Sequence, residues 1–148
     1  MAAMGLQMNR TFVDEIFYEE PAGTFEDGHL LVSEPDLASA QQDPDVGYWH
    51  CDIAAHDRLT WSEKVYELFG LQTGIPIERD WAVSRYDRDS QNALRRIRAF
   101  ALNRGFGFIL DAAIRPEGTP GDRRIRVVAA PILTDGRLVG LHGLKRAL

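Results

Sequence analysis

Val46 to Gly70 reads VGYWHCDIAAHDRLTWSEKVYELFG and gathers two Trp, two Tyr, Phe69, the chain's single Cys and two of its four His. GYWHCDI is rich in strand-forming residues, and alternation puts Trp49, Cys51 and Ile53 on one face and Tyr48, His50 and Asp52 on the other. AAHD is a turn and RLTW a second short strand, so the pair reads as a hairpin. Ser62 is placed as the N-cap of a helix over EKVYELF, with Val65, Leu68 and Phe69 on one side and Gly70 at the position after its end. The reactive side chains are thereby divided between two environments. The stretch reads as the start of a folded core, not as one catalytic cluster.

Downstream, PIERDWAVSRY is a weaker helical patch around Trp81. A longer helix follows over SQNALRRIRAFALNR, capped by Asp87 or Asp89, with Leu94, Ile97 and Ala101 as its apolar stripe and Arg95, Arg96 and Arg98 on its wet side. The last third is all strand. FGFILDAAIRP alternates Phe106, Phe108, Leu110, Ala112 and Ile114 against Gly107, Ile109, Asp111, Ala113 and Arg115; EGTPGD turns; RRIRVVAAPIL and RLVGLHGL flank a tight TDG turn. Two strands, then helices, then three strands on short turns predict an α+β fold, a five-stranded antiparallel sheet with helices covering one face.

Residues 1–45 have a different texture. They hold ten acidic side chains against Arg10 alone, a balance of −9, whereas residues 46–148 carry +4. The predicted division is therefore an acidic N-terminal extension followed by one domain at 46–148, and 45% hydrophobic with 26% charged residues suits a single core. Phe12, Val13, Ile16 and Phe17 mark a helix of about two turns, capped by Asn9 or Thr11 and stopped by Pro21; EPDLASAQQD offers a second short helix. Met1, Met4 and Met8 leave three candidate start positions. A two-turn helix is marginal alone, so residues 9–20 are expected to dock on the helix-free sheet face, against Val139 and Leu141, and to contribute to a homodimer. An attached acidic segment argues against a nucleic-acid partner. The N-terminus has no apolar signal core, the longest apolar run, VVAAPIL, is too short to span a bilayer, and lone Cys51 permits no internal disulfide, which points to the cytoplasm and away from membranes.

The order of elements, with the residues that mark it, resembles a PAS domain of the PAS-3 subgroup found in bacterial sensor proteins. GYWHCDI is similar to the family's opening strand Gly-x-Trp-x-x-Asp, and RLTWSEKVYELFGL to its second strand and first helix. YDRDS stands where the family usually has His-Pro-Asp-Asp-Arg, while FILDAAIRPEG and RVVAAPILTDGRLVGLHG resemble the last three strands, including a Pro-x-x-x-Asp-Gly turn. Ala112-Ala113 and Arg123-Arg124 depart from the family's Tyr-Arg and Arg-Trp. GLKRAL ends where members often continue into Asp-Ile-Thr and a signalling helix. The resemblance implies a stand-alone sensory or interaction module without its own output domain, working through its surface, its N-terminal segment or a separate signalling protein.

The resemblance also implies a mainly apolar pocket between helices and sheet, with Trp49, Cys51, Trp61, Tyr66, Phe69, Trp81, Ile97, Phe108 and His142 as candidate lining residues. An unidentified small apolar ligand would suit it. Flavin is disfavoured, because the family's photoreceptor branch carries its reactive Cys in a helical Asn-Cys-Arg-Phe-Leu motif absent here. Haem is disfavoured because the long helix contains no His, and neither a cofactor nor a metal is expected. His142, flanked by Gly140 and Gly143, is the candidate for reading a polar group or for acid-base work with Asp111. That pair defines the rival reading, a small α+β enzyme; a third is a ligand-free structural dimer. The strand alternation does not make Asp111 and His142 converge, which favours a non-enzymatic module. Arg95 to Arg98 and Arg123 to Arg126 read as solvated faces.

Overall fold

The computed structural model describes residues 44–105 and 107–148. Strand β1 (Gly47–Asp52) turns through a short 3-10 segment at Ile53–Ala55 into β2 (Arg58–Trp61). Three helices follow, α1 (Glu63–Phe69), α2 (Arg79–Ser84) and α3 (Arg88–Arg104), and then β3 (Phe108–Ile114), β4 (Arg123–Thr134) and β5 (Arg137–Ala147). The five strands form one antiparallel sheet in the order β2-β1-β5-β4-β3, so the last strand pairs with the first at its centre.

Register explains which side chains face the helices. Trp49 pairs with Trp61 and Gly143, and Cys51 with Leu59 and Leu141, while Phe108 pairs with Ala129 and Leu110 with Val127. Trp49, Trp61, Cys51, Leu141, Phe108, Ala129, Leu110 and Val127 join Val65, Leu68 and Phe69 of α1, Ala82 of α2 and Leu94, Ile97 and Ala101 of α3 in one buried cluster, with Leu59 packed against it. The long helix therefore presents the predicted apolar stripe. Asp87 is its cap, accepting a 2.8 Å hydrogen bond from the Ser90 amide. Phe106 and the predicted helices of residues 9–20 and 34–43 fall outside the described residues.

Ser62 sits at the N-cap of α1, yet its hydroxyl accepts from the Tyr48 amide at 2.8 Å while its own amide donates to the Tyr48 carbonyl at 2.8 Å. The side chain clamps the helix start to β1 instead of satisfying the first turn. Gly143 permits the close approach of β5 to β4, since a Cβ there would run into the Val128 carbonyl oxygen.

Candidate functional site

A cavity of about 60 Å³ lies between the sheet and helices α2 and α3. Trp49 and Cys51 from β1, Leu59 and Trp61 from β2, Phe108 from β3, Val127 from β4 and Leu141 and Lys145 from β5 make its sheet wall. Arg79, Ala82 and Val83 of α2, Tyr86 beyond it, and Leu94 and Arg98 of α3 close the helical side. Arg79, Val83, Leu94 and Arg98 also line a surface groove of about 470 Å³ between α2 and α3, so cavity and groove adjoin.

Of the residues expected from sequence, Trp49, Cys51, Trp61 and Phe108 reach this cavity. Phe69 and Tyr66 stand behind them, with ring centroids 4.6 and 5.4 Å from that of Trp61, and the Tyr66 hydroxyl donates to the Ile75 carbonyl at 2.7 Å. Ile97 is core packing, and Trp81 is half-buried beneath the Arg85 guanidinium, 5.7 Å from its ring centroid. Neither Ile97 nor Trp81 lines the cavity.

His142 is misplaced by the expectation. It pairs in register with His50 and Ala130 on the opposite face of the sheet, where its Nδ1 lies 2.8 Å from the Tyr48 hydroxyl. Asp111 is held elsewhere, on β3, by Arg126, whose Nε and Nη2 reach its two carboxylate oxygens, the latter at 2.8 Å. No acid-base dyad forms between Asp111 and His142. Leu141, expected on the outer face, is 1% exposed and faces the cavity because it pairs with Cys51. Val139, its proposed companion, is half-buried near the register shift at Ile132 and Leu133.

The basic stretches are not simply wet faces. Arg126 is 2% exposed, and Arg123 donates to the Leu68 carbonyl at 2.7 Å, closing the end of α1. Arg98 is half-buried; its Nη2 meets the Asp57 carboxylate at 3.1 Å and approaches the Cys51 sulfur at 4.0 Å. Asp57 adopts a left-handed backbone, φ 59°, in the turn after β1, a conformation Asp tolerates better than most residues. That turn brings its carboxylate to 3.7 Å from the Cys51 sulfur. Burial first, and the Asp57 charge second, push the Cys51 thiol up, so it stays protonated and poorly nucleophilic.

The residue that sequence reasoning missed is Lys145. It is buried on the inner face, with its Nζ 5.0 Å from the Phe69 ring centroid and 5.6 Å from those of Trp49, Trp61 and Tyr86. Desolvation, followed by repulsion from Arg79, brings its ammonium down to about 7. Among the described residues it makes no hydrogen bond or ion pair. Burial raises the Tyr86 phenol well above its ordinary range, and the Arg79 guanidinium is lowered by desolvation and then by neighbouring Arg98. The signal for Lys145 was present in the alternation, since Leu141, Gly143 and Lys145 share a face.

No family model matches this sequence. No curated protein matches it either. Solved structures do. The N-terminal domain of a diguanylate cyclase with PAS/PAC sensor from Marinobacter aquaeolei superposes with a TM-score of 0.62 at 14% identity, over 69% of this chain and 94% of that one. The chain has the PAS fold. An RNA-binding light-oxygen-voltage receptor matches with a TM-score of 0.61 at 12% identity, over 70% of this chain but only 29% of the receptor's. A light-oxygen-voltage domain studied with a flavin analogue matches at 0.59 and 14% identity, over 76% of this chain and 84% of that one. At these identities the likeness concerns architecture. Among the described residues, no group of His, Cys, Asp and Glu is arranged to hold a metal ion, and no helix is long and apolar enough to cross a membrane.

Proposed function

We propose that this PAS-fold chain is a non-enzymatic sensory module of the cytoplasm that takes a small molecule into the cavity between α2, α3 and the sheet. The observation that carries this reading is the cavity itself, walled by Trp49, Leu59, Trp61, Phe108 and Val127 and reached between the two helices. Occupancy would bear on α2 and α3 from one side and on the central β1-β5 pair from the other. A ligand that favours one packing of these layers would shift their equilibrium, which is what a signal requires. At about 60 Å³ the cavity is smaller than the ~150 Å³ space that accepts benzene, which supports a ligand smaller than a flavin or haem. The separation of Asp111 from His142 weighs against acid-base catalysis. The test is to denature the purified protein and identify released small molecules by mass spectrometry beside an absorption spectrum of the folded protein. A small colourless compound in stoichiometric amount is expected; a Soret or flavin band would overturn the reading.

For output, we propose that residues 9–20 dock on the outer sheet face and support a homodimer, through which a separate signalling protein is engaged. Supporting this are the balance of −9 in residues 1–45 against +4 in the rest and the apolar strip that register puts on that face, Ile109, Val128 and Leu144. This strip replaces Leu141 as the landing surface.

A further inference from the structure

The cavity contains an electrostatic imbalance that an apolar ligand would leave uncorrected. Among the described residues, three basic side chains line it, Lys145 from β5, Arg79 from α2 and Arg98 from α3, and no acidic one does. Asp57 in the turn after β1, whose carboxylate lies 3.7 Å from the Cys51 sulfur, is already engaged by Arg98 at 3.1 Å. Arg79 and Lys145 make no hydrogen bond or ion pair among the described residues, and they repel each other across the cavity: Arg79 is a cause of the lowered Lys145 ammonium, and Arg98 of the lowered Arg79. Among the described residues, Cys51 on β1 and Tyr86 after α2 complete the titratable groups lining this space, and both are held in their neutral forms by burial. The remaining wall is apolar.

Cations in a water-poor cavity are costly unless paired. The four rings around Lys145 Nζ offer their negative faces to the ammonium, but they leave its N–H groups without acceptors. A single carboxylate between Lys145 and Arg79 would satisfy both, accept charge-assisted hydrogen bonds and cancel the repulsion between them. The size of the space limits what can accompany that carboxylate: about 60 Å³ beside Leu59, Phe108, Val127 and Leu141, well under the ~150 Å³ that accepts benzene, leaves room for little more than a methyl group.

Resting on the sensory reading above, we propose that the ligand is a short-chain monocarboxylate whose anion is held by Lys145 and Arg79 and whose apolar end packs on the sheet wall. Because Lys145 sits near neutrality when the cavity is empty, binding draws a proton onto its amine. Affinity is then greatest below pH 7 and falls as pH rises through it. The change from pH 6 to pH 8 should be about tenfold, following the loss of the protonated fraction.

The experiment is titration calorimetry of the full chain at constant ionic strength, with acetate, its neutral isostere acetamide, and ethanol. Acetate should bind at least ~10-fold more tightly than acetamide at pH 6, one unit of log affinity being the difference expected from a charge-assisted pair. Its affinity should fall from pH 6 to 8, a dependence lost in Lys145→Met; Arg79→Gln should weaken acetate and move that fall to higher pH, because the repulsion from Arg79 that helps lower the Lys145 ammonium is gone, and circular dichroism checks that both variants are folded. If acetamide or ethanol binds as tightly as acetate, the anion assignment is wrong and the small-molecule pocket stands. If none of the three binds while mass spectrometry finds another released small molecule, the carboxylate assignment alone falls; if none binds and nothing is released, both readings fall.

Discussion

Lys145→Met isolates the energetic consequence of an ammonium enclosed by aromatic rings. Methionine has a similar unbranched length and no charge, so the inner face between Gly143 and Ala147 keeps its packing while the desolvated cation disappears. In the unfolded chain a lysine holds its proton to about pH 10.4; in the native protein burial brings Lys145 to about 7. Between those values the unfolded state binds more protons, so wild-type stability rises with pH. One proton of difference gives about 1.36 kcal/mol per pH unit, and the partial occupancy near pH 7.5 reduces the gain between pH 7.5 and 9 to roughly 1.8 kcal/mol. Cys51 and Tyr86 work in the opposite direction at higher pH, because their raised values make the native state hold protons that the unfolded state releases. Both remain in the variant and cancel in the difference. Urea unfolding at a series of pH values, followed by tryptophan fluorescence, should show Lys145→Met more stable than wild type at pH 7.5 by about 1–4 kcal/mol, with the gap closing by roughly 1.8 kcal/mol at pH 9. Parallel stability curves for the two proteins would refute the reasoning, since they would mean that the amine keeps its charge on folding.

Gly143→Ala should lower stability by 3 kcal/mol or more, an estimate of about the cost of overpacking plus local strand displacement, because its Cβ meets the backbone oxygen of Val128 and not a movable side chain; thermal unfolding monitored by circular dichroism checks this. Phe108→Ala, at a 1% exposed position on the cavity wall, should cost about 3–5 kcal/mol, and part of that loss should be restored by a small apolar solute that occupies the enlarged space. Asp111→Ala should cost about 3 kcal/mol by leaving the buried Arg126 guanidinium without this carboxylate, read as a lower urea midpoint. Deleting residues 1–45 should convert a dimer to a monomer in light scattering; a dimer unchanged by the deletion, or a full chain that is monomeric at every concentration, contradicts the assignment of residues 9–20 to the dimer.

The architecture was legible because local signals agreed with one another. The Trp49 and Cys51 alternation, the glycine after Phe69, the Asp87 cap and the TDG turn each fix one element without needing to know its partner. Four of the fourteen cavity-lining residues were legible for the same reason, since Trp49, Cys51, Trp61 and Phe108 lie on apolar faces that local periodicity identifies. The polar part was hidden by register. Whether His142 or Leu141 faces the helices depends on β5 pairing Cys51 with Leu141 and His50 with His142, and a shift of one residue exchanges the two faces. No local motif sets that pairing. Arg98 was assigned to the wet side of α3 by its type, although its position four residues after Leu94 and one after Ile97 sets it at the border of the buried stripe.

Lys145 shows where residue type and position conflict most. In GLKRAL it reads as one charge of a basic terminus, yet its strand partners Gly47 and Val127 put it on the floor of the cavity. A chain selected for stability alone would favour an apolar residue there, as the core positions Leu141, Ala129 and Val127 around it do. The positions where local rules fail without a compensating partner are those at which function is expected to be exacting the cost. Arg79 adds to that cost from the opposite wall instead of relieving it. Two repelling cations on separate elements, converging on one small apolar space, make sense together when a third body of opposite charge belongs between them.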